Sequence, residues 1–389
     1  MSAQPIRLTI VVSHPIQYFV PVYRELAKEP SILLTVLFAS RVGVEAYYDP
    51  GFGQQVQWDI PMTDGYHSVF LSSRRKTGGL QWRIISELMR HRPDVVLFHG
   101  YNQPTNLLGI LVAKVLGKKV MMRGDTRLSL RNTKQNLKYQ FKKWLFNRID
   151  GFVTIGTLNE KYYRHYGVPE NKLYFSPFCV DNRLFDPGAS AVAERTRVRE
   201  ELNIPESKRI ILFVAKLTER KHPHDLLTAF TNIQARHPDT VLVFAGSGEQ
   251  EHSLRREAEK KNLDVRFLGF VNQTLLPGLY AASDIFVLPA ANEPWGLVIN
   301  EALAAGLPTI TTDDVGAAPD LIIGKATGQV YAAGDVQALI AVLDDWLSNP
   351  EKIMEMAKNA KSLIQQWDVE HCAKGIASAA LKVRAGLKA

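Results

Sequence analysis

The sequence predicts an α/β protein built from two doubly wound domains. Three observations carry this. The chain has 389 residues, and at roughly 100–200 residues per domain that length suits two. Short apolar runs alternate with helical patterns along most of the chain, the signature of parallel sheets covered on both faces. The alternation pauses over residues 176–188, where prolines at both ends and an Asp-Pro-Gly stop mark a linker. The expected division is an N-terminal domain over 1–180, a C-terminal domain over 181–365, and a closing helix over 366–389 that returns to the first domain.

In the first domain strands are expected at 8–12, 33–38, 95–99, 119–123, 151–155 and 173–175, with helices at 20–28, 81–91 and 106–116. After the linker come strands at 210–214, 241–245, 265–268, 285–288 and 309–311. Helices at 224–236, 249–261, 275–282 and 297–305 fill the gaps, and the chain is helical from 335 onward. The strand runs are near-continuous aliphatic stretches, as strands buried on both faces require. Ligands bind such sheets beyond the carboxyl ends of the strands, so the segments just after each strand are where chemistry is sought.

Hydrophobic residues make up 46% and charged residues 22%, a balance that fills a core without staples. The two cysteines, Cys179 and Cys372, suit a reducing compartment and small buried apolar roles. No Cys/His cluster has zinc spacing. The apolar run at 8–12 is too short for a membrane span and lacks the flanks of a signal peptide. A cytoplasmic protein is expected. Net charge is +8; residues 1–180 carry 24 Lys+Arg and 12 Asp+Glu, the remainder 23 and 27. The basic half is expected to meet something anionic.

The most informative segment is PAANEPWGLVINEALAAGLP, from Pro289 to Pro308. It follows a strand and opens a helix near Gly296, where glycine lets a ligand approach the backbone. The first free N–H groups of that helix, with its positive dipole end, make a diphosphate site. Glu301, about one and a half turns in, can accept from two vicinal ribose hydroxyls. Glu293, on the loop before the helix, can meet a sugar beside the diphosphate. Equally, the two acids could be a solvated loop residue and a helix-end charge favoured by the dipole. A second segment, IILFVAKLTERKHPHDLL, places Lys216 and Lys221 after a strand. Such cations can neutralise a departing diphosphate, or can simply be solvated. A third, VLVFAGSGE, ends a strand in Gly246 and Gly248. It lacks the third glycine of the dinucleotide fingerprint, which counts against a nicotinamide enzyme.

In this order (Lys-x4-Lys, Gly-Ser-Gly, the Phe267–Val271 run FLGFV, Tyr280–Leu288, Glu-x7-Glu and the tail GQVYAAGD ending at Asp335) the chain resembles the C-terminal domain of retaining GT-B glycosyltransferases of family 4. The resemblance covers about residues 205–345 and extends more loosely into the first half. It implies two Rossmann-like domains facing a central cleft and a nucleoside diphosphate sugar donor of UDP or GDP type. It implies transfer with retention to a hydroxyl acceptor in polysaccharide, glycolipid or other glycoconjugate synthesis. Lys216 then stands where the family usually has Arg, Lys221 matches its Lys, Glu301 its ribose-binding acid and Glu293 its sugar-contacting acid. Gly246 and Gly248 line the nucleotide, and Gly296, Leu297 and Val298 present the helix-start amides. The family mechanism is front-face attack, with the leaving diphosphate helping to deprotonate the acceptor. The protein then supplies electrostatics and positioning.

The chain departs from the family at several points. Lys216 is a point charge in place of a planar fork. His222-Pro223 replaces a usual Gly. Arg123-Gly124-Asp125 stands where the family carries a His, and Asp125 could orient a hydroxyl or cap a helix. His14, after the first strand, could touch acceptor or diphosphate, or be structural; His99 and Asn102 are weaker candidates. The stretch Tyr47–Gly53 and Tyr66 could stack on a sugar or cap the domain. No Asp-x-Asp motif stands at a strand end, and Asp313-Asp314 lacks that context, so no metal is expected. Residues 127–148 are basic: Arg131, Lys134, Lys138 and Lys142 share one helical face, and Leu137, Phe141, Trp144 and Leu145 another. This segment could lie on an anionic membrane at its inner face, or pack its apolar side into the core. Nucleic acid is not expected, since no recognised module accompanies the charge. Two rival functions share these residues: a sugar-nucleotide 2-epimerase, and a non-catalytic nucleotide-sugar-binding subunit.

Overall fold

The apolar runs form two parallel sheets, because strands buried on both faces need helices on each side. The computed structural model describes residues 4–72, 78–128, 136–186 and 188–387. In chain order the strands are β1 (Ile6–Val12), β2 (Ile32–Phe38), β3 (Tyr47–Asp49), β4 (Gln54–Val56), β5 (Ser68–Phe70), β6 (Val95–His99), β7 (Lys119–Arg123) and β8 (Gly151–Thr154). They continue with β9 (Leu173–Phe175), β10 (Arg209–Val214), β11 (Thr240–Ala245), β12 (Val265–Phe267), β13 (Ile285–Leu288), β14 (Thr309–Thr312) and β15 (Gly328–Tyr331). The chain divides into two units. Unit 1 holds Met1–Tyr47, Ile60–Cys179 and Asp368–Ala389; unit 2 holds Tyr48–Asp59 and Val180–Trp367.

Unit 1 carries a parallel sheet in the order β5-β2-β1-β6-β7-β8-β9. The strand order reverses between β1 and β6. One face is covered by the helices Val20–Lys28 and Val369–Ala385, whose Val22, Leu26, Ile376 and Ala380 join the core with Ile10 and Leu97. The closing helix starts at Asp368, whose side chain accepts from the His371 N–H at 2.7 Å, an N-cap of the usual kind. A Cβ at Gly375 would fall 2.8 Å from the Phe175 carbonyl oxygen, so glycine there lets the helix lie close to β9. Arg123 is buried and donates to Ser176 Oγ at 2.7 Å and towards Cys372 Sγ at 3.4 Å. Both cysteines are buried thiols.

Unit 2 carries a parallel sheet in the order β12-β11-β10-β13-β14-β15. Its order reverses between β10 and β13. Helices Pro223–Gln234 and Val336–Ser348 cover one face through Leu227, Phe230, Leu339 and Trp346. Asp335 caps the second of these by accepting from the Ala338 N–H at 2.9 Å.

Two expectations need correction. Residues 48–59 do not belong with the rest of 1–180: they form a two-stranded ribbon, β3 with β4, that is part of unit 2. Its three-residue strands are half-exposed and too short for a periodic signal. The basic segment forms the helix Leu137–Phe146, and only part of its apolar side is a core face. Leu145 and Phe146 are buried, whereas Leu137 is 89% exposed, Phe141 44% and Trp144 51%. Arg131 and Lys134 lie outside the described residues.

Candidate functional site

The loops that leave β10, β11 and β13 in unit 2 come together at the point where the strand order reverses. This is where a doubly wound sheet opens a crevice for ligands. The three loops are tied by backbone hydrogen bonds. Leu217 N–H donates to Ser247 O at 2.9 Å, Gln250 N–H to Leu217 O at 3.0 Å, and Ala291 N–H to Arg220 O at 2.9 Å. A Cβ at Gly246 would stand 1.9 Å from the Ala215 carbonyl oxygen, and one at Gly248 2.6 Å from that of Leu217. The Gly-Ser-Gly turn is therefore glycine because the β11 loop lies directly on the β10 loop.

The β13 loop is held from the other side by residues 313–317. Glu293 N–H donates to Asp314 O at 3.1 Å, Gly316 N–H to Glu293 O at 3.0 Å, and Asn292 N–H to Asp314 Oδ2 at 2.6 Å. Gly296 has φ +92°, a left-handed conformation that favours glycine. It starts the helix Leu297–Ala304, so the amides of Leu297 and Val298 form its positive end. Trp295 does not face a ligand; it is buried, stacks on Trp367 at 5.4 Å and donates from Nε1 to Asn300 Oδ1 at 2.9 Å. It anchors the helix start.

Three cations on these loops, Lys216, Arg220 and Lys221, pair with two carboxylates, Asp49 and Glu293. Lys221 Nζ lies 2.6 Å from Glu293 Oε2, and Arg220 pairs with the same oxygen. Glu293 is 8% exposed. Burial lowers the Lys221 pKa; the Arg220 and Lys216 charges add to this, while Glu293 opposes it. Lys216 Nζ lies 2.7 Å from Asp49 Oδ1. Glu301 is fully buried and accepts at Oε2 from the Tyr280 hydroxyl at 2.7 Å. His222 occupies the left-handed region, φ 50°, which gives a physical reason for the glycine usual there in the resembling family.

The structure thus brings Glu293, Lys221, Gly246, Gly248, Gly296, Leu297 and Val298 around one loop cluster, with Lys216 beside it and Glu301 in the helix behind. His14 and Asp125 belong to unit 1. His14 follows β1; Ser13 Oγ lies 2.8 Å from its Nδ1, and burial holds its pKa below the ordinary value. Asp125 is exposed beyond β7, and Asn136 caps the next helix among the described residues, Leu137–Phe146. His99 ends β6, packs edge-on against Phe19 at 4.7 Å and is pushed down to about 3 by burial and the Arg123 charge. Tyr66 donates to Met62 O at 2.6 Å and packs on Tyr23, a capping role. Asn102 lines a cavity of about 470 Å³ with Tyr101, Leu137, Phe141 and Tyr162. Sequence reasoning passed over Arg220, Tyr280 and Asp49. Arg220 stood next to Lys221 and completed a cation cluster that could have been read; Tyr280 and Asp49 reach their partners only through the fold.

Residues 194–363 match the family described as glycosyl transferases group 1. Glycogen synthase of Mycobacterium tuberculosis is 33% identical over 179 residues, 45% of this chain and 43% of that protein. The GDP-mannose-dependent monoacylated alpha-(1-6)-phosphatidylinositol monomannoside mannosyltransferase of Corynebacterium glutamicum is 30% identical over 202 residues, 50% of this chain and 52% of that one. Each alignment spans about half the length of these relatives. The crystal structure of Anabaena HepE in complex with UDP matches with a TM-score of 0.74 at 16% identity, covering 96% of this chain and 99% of that one. The fold is that of GT-B structures, with two Rossmann-like domains.

Proposed function

We propose that this protein is a retaining glycosyltransferase of family 4, moving a sugar from a UDP- or GDP-type donor to a hydroxyl acceptor. The observation that carries the reading is the cluster of Arg220, Lys221 and Glu293 on the loops that lead to the amide end of Leu297–Ala304, with Lys216 beside it, at the reversal point of the unit 2 sheet. Cations and helix amides together suit a diphosphate and the charge it gains on leaving. In this reading Glu293 meets the donor sugar and Glu301 the ribose. The leaving diphosphate takes the acceptor proton, and side chains rather than a metal meet its charge. The similarity over residues 194–363 supports this, as do relatives whose names include a GDP-mannose-dependent mannosyltransferase. The HepE structure holds UDP.

The test is product analysis by NMR on UDP- and GDP-sugars, with and without glycan or lipid-linked acceptors. Transfer with an unchanged anomeric configuration is the expected result. An isomerised sugar formed without acceptor would instead identify a 2-epimerase. Donor binding with neither product would identify a non-catalytic subunit.

The acceptor side is assigned to unit 1, with a cytoplasmic protein resting on the inner face of an anionic membrane. No helix among the described residues is long and apolar enough to cross a membrane. Residues 137–148 contain Lys138, Lys142, Lys143 and Arg148 and no acid. Beside those charges Leu137, Phe141 and Trp144 are exposed, and Arg148 covers the Trp144 ring at 4.0 Å. Exposed apolar groups among cations suit an anionic lipid surface. Vesicles containing phosphatidylglycerol should sediment with the protein, and replacing Phe141 and Trp144 by Ser should abolish this. Equal sedimentation of the double variant would remove the membrane role.

A further inference from the structure

We propose that residues 48–59 form an anionic gate on the diphosphate site: Asp49 competes with an incoming diphosphate for Lys216. This rests on the reading of the Lys216–Glu301 constellation as a nucleoside diphosphate site. Asp49 Oδ1 receives the Lys216 ammonium at 2.7 Å and the Gly51 and Phe52 N–H groups at 2.8 and 3.2 Å. Burial works to raise the Asp49 pKa. Lys216 and the two amides outweigh it and hold the carboxyl below its ordinary value, so the pair is formed at neutral pH.

The contact is built rather than incidental. The Lys216 ammonium also sits 4.6 Å from the Phe52 ring centroid, a cation–π position. A Cβ at Gly51 would fall 2.7 Å from Lys216 Cδ and Nζ, so the lysine stem lies directly against the Gly51 backbone. The ribbon is pinned to the loops that follow β11 and β12. Ser247 Oγ donates to Phe52 O at 2.9 Å, and Asn272 Nδ2 donates to Gln57 O at 2.6 Å. The Phe270 ring lies 4.9 Å from Phe52 and 5.9 Å from Trp58. Ser247 stands between the two glycines assigned to the nucleotide. The acid therefore reaches the site from a segment whose position depends on the same loops the donor would occupy.

Competition follows from charge. Lys216, Arg220 and Lys221 face two carboxylates, Asp49 and Glu293. A diphosphate must draw Lys216 away from an anion already bound to it. A lysine on a flexible stem can swing between two anions, where a planar guanidinium would hold one in a fixed fork. Asp49 is thus a positioning residue that sets how readily the donor captures Lys216.

Calorimetric titration of UDP and GDP into the full chain tests this. Asp49→Asn should bind the preferred diphosphate about three- to tenfold more tightly, as expected for removing one charge near a screened anion. The donor KM should fall with it. Gly51→Ala, whose methyl crowds the Lys216 stem, should shift affinity the same way. In a Lys216→Ala background the gain from Asp49→Asn should shrink to the through-space effect of one lost charge, a reduction that a merely structural role would not produce. Equal or weaker binding in both single variants, each melting like the wild type, would overturn the gate. Failure of the wild type to bind any diphosphate would remove the donor reading itself, and the gate with it.

Discussion

Glu293→Gln should lower turnover by about two to three orders of magnitude, the range seen when one preorganised polar group at a reacting centre is lost. The substitution keeps the side-chain shape and removes one charge. In the native protein that charge is shared by Arg220 and Lys221, and Lys221 is mostly buried, which depresses its pKa. Removing it leaves two cations without their common counter-ion. A buried pair broken on one side costs about 3–5 kcal/mol, less here because Arg220 is 47% exposed. The melting temperature should therefore fall as well. The surplus positive charge should hold a diphosphate at least as well as before. The signature is a fall in kcat with donor affinity kept or raised, read from steady-state kinetics beside a binding titration. Unchanged turnover would take Glu293 out of the chemistry and leave it a counter-ion.

Glu301→Ala should act on the other quantity, weakening nucleoside diphosphate binding by about 100-fold. That corresponds to the loss of one or two hydrogen bonds to a charged group, each about 1.5–3 kcal/mol. The carboxylate is fully buried in the second turn of Leu297–Ala304, with Tyr280 fixing Oε2 at 2.7 Å. A pair of ribose hydroxyls donating to it would meet an oriented acceptor with little water to displace. Tyr280→Phe separates support from contact. It keeps the carboxylate and removes only its orienting hydroxyl, so it should weaken binding by a smaller factor.

Much of this site could be read in the sequence, because its parts lie at strand ends and strands announce themselves as aliphatic runs. Lys216, Gly246 and Glu293 each follow such a run. Their order along the chain placed them together before any coordinates did. Glycine was informative for more than one reason: Gly296 needs a left-handed backbone, whereas Gly246 and Gly248 are fixed by the adjacent β10 loop. What escaped the sequence depends on distance along the chain. Asp49 reaches Lys216 across 167 residues, and Tyr280 reaches Glu301 across 21; no local pattern encodes either pair. The ribbon 48–59 was hidden for a related reason, since three-residue strands lack a period and their partner loops lie more than 150 residues away. The helix Leu137–Phe146 shows the opposite limit. Its periodicity was readable, but a periodic apolar face does not say what covers it, and here Leu145 and Phe146 are buried in the core while Leu137, Phe141 and Trp144 are exposed.

The central claim, that unit 2 holds a nucleoside diphosphate between its cations and Glu301, is tested most directly by titration. UDP and GDP are added to the wild type and to Glu301→Ala under identical salt. Saturable binding by the wild type, weakened about 100-fold in the variant, is the predicted result. No binding of either diphosphate to the wild type, or equal binding to both proteins, would contradict it.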